Sequence, residues 1–223
     1  MLGIIGGTAL HAAKIPPLEK KTVATPFGKT EVYLGKFVFI SRHQNNTPPH
    51  NVNHRSHIAA CKILGVDKLI LIGSTGCMKK SLPPGTIVIP DDYYCPWDIP
   101  TFHNNNIYHA PPLVDKELRQ ILHDLIPESI SGTYLQTHGP RFETCAEIAS
   151  FAEYTDIVGM TIASELTLAN ELGIACAAIC TVDNYANGIN SVDAPNYNEI
   201  IERAKQNSTR INKIVKKIVK KFA

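Results

Sequence analysis

Six short apolar segments, each of strand length, most constrain the fold of this chain. They cover residues 2–5, 37–41, 68–72, 86–89, 156–160 and 175–182. Several lack the polar alternation of a strand with one face in water, so we expect both faces to be covered. Segments with apolar residues at helical spacing lie between or beside them, over residues 53–64, 114–125, 144–154 and 164–172. This alternation predicts one α/β domain, residues 1–223, with a central mixed, largely parallel sheet flanked by helices.

Two further segments depart from that alternation. Residues 197–222 place apolar side chains three and four positions apart and most lysines on the opposite face, which predicts an amphipathic helix packed on the core. A helix lying on a membrane surface is the alternative. Residues 90–112 carry several prolines and three consecutive asparagines, which favours a long irregular loop with a functional role.

Composition excludes several classes of function. The 223 residues are 44% hydrophobic and 19% charged, with a formal net charge of +2. This near-neutral balance gives no reason to expect nucleic acid or an acidic membrane as a partner. No stretch approaches the roughly 20 apolar residues that span a bilayer. The six cysteines form no Cys-x-x-Cys pair and are expected to be reduced, and the first residues lack a basic leader, so we expect a cytoplasmic protein.

Small, hydroxylic or basic residues follow four of the predicted strands. They are Thr8 after Gly6-Gly7, Arg42 with His43, Ser74 between two glycines, and Thr161 after Met160. Ligands of open α/β sheets bind at the carboxyl ends of strands, and hydroxyls, backbone amides and one arginine fork suit a free phosphate. A plain turn at Thr8 and a surface salt bridge at Arg42 are the structural alternatives.

Two other segments carry groups that could read a heterocyclic base. Residues 139–144 supply the aromatic ring of Phe142 and the carboxylate of Glu143 before a predicted helix. Asp183 and Asn184 end the last predicted strand. Because an asparagine amide both donates and accepts hydrogen bonds, it suits a purine edge.

Two rival chemistries find little support. Four of the nine histidines, at positions 43, 50, 54 and 57, are close in sequence, but they match no metal-binding spacing, so no metal is expected. A Ser-His-Asp hydrolase is disfavoured because the chain has no Gly-x-Ser-x-Gly elbow.

Taken in order, these motifs resemble the trimeric purine nucleoside phosphorylase and methylthioadenosine phosphorylase family. The resemblance runs from residue 2 to about residue 188, and its most specific part is Gly-Pro-Arg-Phe-Glu-Thr at 139–144. The other matching segments are residues 3–8, 42–43 with 48–55, 73–78, 84–89, and 156–161 with Glu165. The resemblance implies phosphorolysis of a purine nucleoside, with inorganic phosphate as co-substrate and no cofactor.

Position by position, the resemblance implies a role for each candidate residue. Phosphate would be bound by Thr8, Arg42, His43, Ser74 and Thr161. Met160 would pack beneath the ribose, Phe142 against the base, and Glu143 with Asn184 would carry the chemistry at the purine, while Asp183 assists there or is structural. His109 resembles a residue that the family lends to the 5′ pocket of a neighbouring subunit, which implies a homotrimer or a dimer of trimers.

The base preference follows from Glu143 and Asn184. Adenine-cleaving members of the family carry Ser and a Thr-Asp-Tyr-Asp segment at these places, whereas 6-oxopurine members carry Glu and Asn. A carboxylate accepts the N1–H of a 6-oxopurine but faces the bare N1 acceptor of adenine, a mismatch costing about 1–3 kcal/mol. We therefore expect a 6-oxopurine nucleoside, with 5′-methylthioinosine as the candidate because the opening motifs resemble the methylthio branch.

The chain also departs from the family pattern. Residues 44–47 are fewer than usual and lack a second histidine, and Ser74-Thr75 replaces Ala-Cys or Ala-Ala. Two alternatives therefore stay open: an adenine-specific methylthioadenosine phosphorylase, and a catalytically silent purine-binding homologue.

Overall fold

A computed structural model describes residues 1–7, 10, 18–190 and 197–222. The strands are β1 (Leu2–Gly6), β2 (Glu19–Thr25), β3 (Gly28–Leu34), β4 (Val38–Ser41), β5 (Lys68–Cys77), β6 (Ile87–Tyr94), β7 (Ile130–Gln136), β8 (Ile157–Gly159) and β9 (Ala175–Tyr185). The helices are α1 (His54–Ile63), α2 (Lys116–Leu125), α3 (Cys145–Phe151), α4 (Ile162–Glu171) and α5 (Tyr197–Phe222).

All nine strands join one mixed sheet in the order β2-β3-β4-β1-β5-β8-β7-β6-β9. Since β9 also pairs with β5, the strands β5, β8, β7, β6 and β9 close into a ring, and β1 to β4 extend outward from β5. Parallel pairings join β1 to β4 and β5, β5 to β9, and β7 to β6 and β8, whereas the other four pairings are antiparallel. The predicted single-domain α/β fold with a mixed, helix-flanked sheet is confirmed.

The core lies around β5 and β9. Leu69, Ile70, Leu71 and Ile72 are fully buried, as is the matching run of β9 from residue 177 to 180. Helices α1 and α4 pack against each other, as do α2 and α5, and both pairs contact the sheet. Complete burial explains why these strands read as continuous apolar runs without alternation.

Polar caps fix where three of the helices begin. The side chains of Asn53 and Asp115 accept hydrogen bonds from backbone amides in the first turns of α1 and α2. At α3, Thr144 and Glu147 form a reciprocal capping box. These contacts satisfy amides that the helix itself leaves without partners, so each cap fixes the loop that precedes its helix.

The structure corrects the strand predictions in three places. Strands β2, β3 and β7 were not predicted from the sequence. The irregular segment expected from residue 90 is wrong for residues 90–94, which belong to β6. Proline is tolerated there because the β6–β7 register shifts between Pro90 and Asp92, at a bulge. Residues 95–115 do lack helix and strand.

The amphipathic prediction for the last helix is confirmed, because Ile211, Ile214, Val215 and Ile218 of α5 are buried in the core. Within the described ranges, no helix is long and apolar enough to cross a membrane.

Candidate active site

A cavity of about 540 Å³, here called the main cavity, lies where several strands end. Its walls come from the carboxyl ends of β1, β4, β5, β8 and β9 and from the loop before α3. Polar, aromatic and sulfur-containing side chains line it, among them Arg42, His43, Ser74, Phe142, Glu143, Met160, Thr161, Asn184 and Asn187. The structure thus gathers candidate residues that are separated by more than 140 positions in the chain.

Arg42 is buried in the wall of this cavity, and the wall residues Arg42, His43, Ser74 and Thr161 are here called its anion end. Its Nε and Nη2 atoms donate to the two carboxylate oxygens of Glu165 at 2.7 and 2.6 Å. Its Nη1 atom donates to the carbonyl of Ile72 at 2.8 Å, and a Cβ on Gly7 would come within 2.7 Å of the same nitrogen. These bonds use three of the five guanidinium N–H groups, so the described residues leave two for a ligand.

The charge of Arg42 is balanced by the buried carboxylate of Glu165. Burial raises the pKa of Glu165, but the contacts of its carboxylate with Arg42 and His54 together outweigh burial and hold that pKa well below its usual range. His54 Nδ1 lies 3.4 Å from Glu165 Oε1. Burial also lowers the pKa of His57 to about 4, so His57 is neutral at physiological pH. The anion end therefore rests on a buried, internally neutral ion pair.

Thr161 offers a hydroxyl at the same end. It precedes α4, yet its side chain does not cap that helix. The hydroxyl of Tyr134 instead accepts hydrogen bonds from the backbone amides of Thr161 and Ile162, and Gln136 accepts from Ser164. Because these groups already satisfy the first turn, the Thr161 hydroxyl remains available to the cavity, next to the positive end of the helix dipole.

Ser74 and Asp183 form a network at the anion end. The Ser74 hydroxyl donates to Oδ2 of Asp183, which is fully buried and absent from the cavity lining. Asn207 of α5 donates to the other Asp183 oxygen at 3.0 Å. Burial raises the pKa of Asp183 despite these donors. The position of Asp183 favours the structural role that the sequence left open for it.

A register shift places Asn184 in the cavity. Thr75 of β5 pairs with Val182, but Gly76 pairs with Asn184, so Asp183 is an extra residue in β9. Such a bulge re-aims the side chains beside it. The Asn184 Nδ2 atom donates to the carbonyl of Tyr185 at 2.8 Å, which leaves Oδ1 as an acceptor for a ligand.

A second group of wall residues, Glu143 and Asn184, is here called the base end of the main cavity, and Glu143 is 8% exposed. Its Oε1 atom accepts a short hydrogen bond from the Thr137 hydroxyl, and its carbonyl accepts from Asn187 Nδ2 at 2.7 Å. Among the described residues, no group donates to Oε2. The carboxylate therefore presents one acceptor oxygen to the cavity.

Two apolar side chains also belong to the wall of this cavity. Met160 and Phe142 both line the main cavity. A Cβ on Gly139 would come within 2.7 Å of the Met160 sulfur, and Gly139 has a φ of +68°, so both space and backbone conformation require glycine there. The loop and Met160 can consequently pack closely.

Three candidate residues remain: His43, His109 and Thr8. His43 lines the main cavity, and its Nδ1 is 2.8 Å from the Thr47 carbonyl. His109 is exposed and lines neither the main cavity nor a second, smaller cavity that is described below. Thr8 lies outside the described residues. In the part of the chain that the structure describes, no three His, Cys, Asp or Glu side chains are grouped to hold a metal ion.

A second cavity of about 390 Å³, the side cavity, shares Pro49 and Met160 with the main cavity. Thr137 lines the side cavity and reaches Glu143 from that direction. Sequence reasoning missed Thr137 and Asn187. Recognising β7 would have placed Thr137 directly after a strand end, the same signal that identified Ser74 and Thr161.

The comparison with protein families agrees with this geometry. The model of a family described as the phosphorylase superfamily matches residues 1–220. The chain belongs to the phosphorylase superfamily.

Relatives of known name cover nearly the whole chain. A protein of Archaeoglobus fulgidus named "Probable 6-oxopurine nucleoside phosphorylase" is 39% identical, over 99% of this chain and 96% of its own length. One of Methanocaldococcus jannaschii named "Probable S-methyl-5'-thioinosine phosphorylase" is 34% identical, over 98% of this chain and 92% of its own length. The resemblance predicted from the motifs is thereby confirmed.

The fold is shared with a solved structure. Methylthioadenosine phosphorylase from Schistosoma mansoni, in complex with adenine, superposes with a TM-score of 0.90 at 24% identity, covering 98% of this chain and 90% of that one. At 24% identity, this likeness shows the fold alone.

Proposed function

We propose that this protein cleaves the N-glycosidic bond of a purine nucleoside with inorganic phosphate, releasing the free purine and a ribose 1-phosphate. The observation that carries the proposal is that two kinds of group line one cavity. An arginine with two remaining donors and a hydroxyl line the same cavity as a buried carboxylate. The whole chain, residues 1–223, acts as the phosphorylase domain.

Phosphate binds at the anion end. The two remaining N–H groups of Arg42 and the Thr161 hydroxyl donate to its oxygens, with His43 and Thr8 completing the set. Because Glu165 balances the Arg42 charge, most of the binding comes from hydrogen-bond donors, helped by the dipole of α4. Ser74 lines the same end, with its proton directed to Asp183, and it contributes an acceptor for a protonated phosphate oxygen.

Catalysis consists of placement and charge stabilisation. A phosphate oxygen attacks the anomeric carbon as the bond to the purine breaks, through a transition state with positive charge on the sugar and negative charge on the base. Met160 packs beneath the ribose and Phe142 against the base. The leaving purine takes up a proton from solvent at N7, and Oδ1 of Asn184 accepts a hydrogen bond from that N7–H, because its Nδ2 is directed to the carbonyl of Tyr185. The reaction requires phosphate as co-substrate and no cofactor.

The base is a 6-oxopurine. Oε2 of Glu143 accepts the N1–H of hypoxanthine or guanine in a charge-assisted hydrogen bond. Adenine would bring its N1 lone pair against the same oxygen, and the unpaired acceptors would cost about 1–3 kcal/mol. The names of the Archaeoglobus and Methanocaldococcus relatives support this preference.

The nucleoside we favour is 5′-methylthioinosine, and the assembly a homotrimer or a dimer of trimers. Support comes from the loop that carries His109. Ile107 is 92% exposed and Tyr108 46% exposed, which is unusual for apolar side chains and favours contact with a neighbouring subunit. In this arrangement His109 completes the neighbour's 5′ pocket. The cytoplasmic location stays a prediction.

A substrate panel tests the proposal. Inosine, guanosine, adenosine and the 5′-methylthio forms of inosine and adenosine are each incubated with and without phosphate, and release of base is measured. We expect release that depends on phosphate and is fastest with 5′-methylthioinosine. Release without phosphate would identify a hydrolase, binding without release a silent homologue, and preference for adenine nucleosides a methylthioadenosine phosphorylase.

A further inference from the structure

Glu143 is held at two independent points. Its backbone is fixed by Asn187, which donates to the Glu143 carbonyl at 2.7 Å. The neighbouring backbone is fixed by the capping box of Thr144 with Glu147, and Arg141 forms an ion pair with Glu147 at 2.8 Å. None of these contacts touches the carboxylate, so they set where Glu143 lies and not how its carboxylate turns.

The carboxylate is oriented from the sheet. Thr137 follows β7, and its backbone amide donates to the carbonyl of Gly159 in β8 at 2.9 Å. Its hydroxyl donates to Oε1 of Glu143, and both residues are buried, at 7% and 8% exposure. A buried hydroxyl on a strand end has few alternative partners, so this bond restricts rotation of the carboxylate.

The orientation of the Glu143 carboxylate decides which of its oxygen atoms faces the base. With Oε1 engaged by Thr137, Oε2 is the acceptor offered to the cavity. Without the hydroxyl, the carboxylate can rotate and either oxygen can turn to the side cavity, so that the acceptor facing the purine edge is no longer fixed. A loosely held acceptor penalises a mismatched N1 less, because it can turn away from it.

We propose that Thr137 is a positioning residue that sets the purine preference of this site by holding the Glu143 carboxylate in one orientation. The inference rests on the proposed function. Thr137 lines the side cavity rather than the main cavity, so it acts through Glu143 and does not touch the base.

The test compares purine binding in three proteins: wild type, Thr137→Val and Thr137→Ser. Valine keeps the shape of threonine and removes the hydroxyl, whereas serine keeps the hydroxyl. The dissociation constants of hypoxanthine and adenine are measured by calorimetry in the presence of phosphate. We expect T137V to weaken hypoxanthine binding on the order of tenfold, as loss of one bond to a charged group implies, and to bind adenine somewhat more tightly, because the carboxylate can turn away from the bare N1. T137S should restore the ratio.

Thr30→Val is the matched control. Thr30 of β3 is buried, its hydroxyl is hydrogen bonded to Ser56 of α1, and it lines neither cavity. T30V should cost stability without changing the ratio of the two dissociation constants. If T137V does not fold, Thr137→Ala supplies the same comparison.

An unchanged hypoxanthine-to-adenine ratio in T137V, or a ratio that T137S fails to restore, overturns the inference. Failure of the proposed function would be detected by a different measurement, the turnover of the wild type with and without phosphate. The binding ratio tests Thr137 whichever nucleoside the wild type prefers.

Discussion

At its anion end the main cavity is built from residues that directly follow strands, whereas at its base end it is built from a loop and a strand bulge. Arg42 and Thr161 follow β4 and β8, and the buried Glu165 supports Arg42. Glu143 belongs to the loop before α3, and Asn184 follows the extra residue in β9. The comparison teaches that the strands of the sheet set the positions of the anion-binding residues, while a loop and a bulge set the positions of the base-binding residues.

If the anion end rests on the buried ion pair, breaking that pair should have the largest effect on stability. Glu165→Gln leaves the Arg42 charge buried without a counter-ion, and we expect the free energy of unfolding to fall by about 3–5 kcal/mol. Urea denaturation measures it. Glu31→Gln, which removes an exposed partner of Lys20, should change stability by less than about 1 kcal/mol. Equal losses of unfolding free energy in Glu165→Gln and Glu31→Gln would contradict the conclusion that the anion end rests on the buried ion pair.

We expect the second-largest loss of stability at acid pH, through His57, which packs near the ion pair of Arg42 and Glu165. The pKa of His57 is lowered by burial to about 4 in the folded protein, against 6.5 for the unfolded group. Between these pH values the unfolded chain binds the additional proton, so stability should decline as pH falls from about 6.5 to about 4, by about 3 kcal/mol in total. Unfolding free energies of wild type and His57→Gln across this window provide the check. The same slope in both proteins would show that His57 is not responsible.

At the base end, Asn184→Ala should affect turnover more than stability. Losing the acceptor for the leaving purine should lower kcat on the order of 10²-fold, as loss of one group that stabilises transition-state charge does. Steady-state kinetics with saturating phosphate measures it. Asn170→Ala, which also removes one side-chain bond to a backbone carbonyl, should leave kcat unchanged. A near-normal rate in Asn184→Ala would remove Asn184 from this role.

A smaller change at the base end should alter selectivity. Glu143→Gln replaces an acceptor oxygen with an amide that can donate to the bare N1 of adenine. We expect kcat/KM for 6-oxopurine nucleosides to fall about tenfold and the discrimination against adenine nucleosides to narrow. Glu153→Gln, at an exposed position beyond α3, is the control. If both variants keep the wild-type preference, Glu143 does not read the base.

The sequence allowed much of the fold to be predicted, and for identifiable reasons. The segments later found as β1, β4, β5 and β9 are continuous apolar runs because they are covered on both faces. Strands β2 and β3 were missed because their side chains are mostly exposed or half-buried, so they lack that signal. The closed ring of β5 to β9 was also not predicted, since strand pairing depends on contacts distant in sequence.

By itself the sequence determined which residue types stand at the strand ends and which carboxylate and amide follow in residues 139–144 and 183–188. Only the tertiary structure decided what those groups can do. It directs two of the five Arg42 donors to Glu165, directs Ser74 to Asp183, and lets Tyr134 cap α4 so that the Thr161 hydroxyl is available. The physical reason is that a buried polar group must satisfy its hydrogen bonds locally, and its partners are supplied by distant segments of the chain.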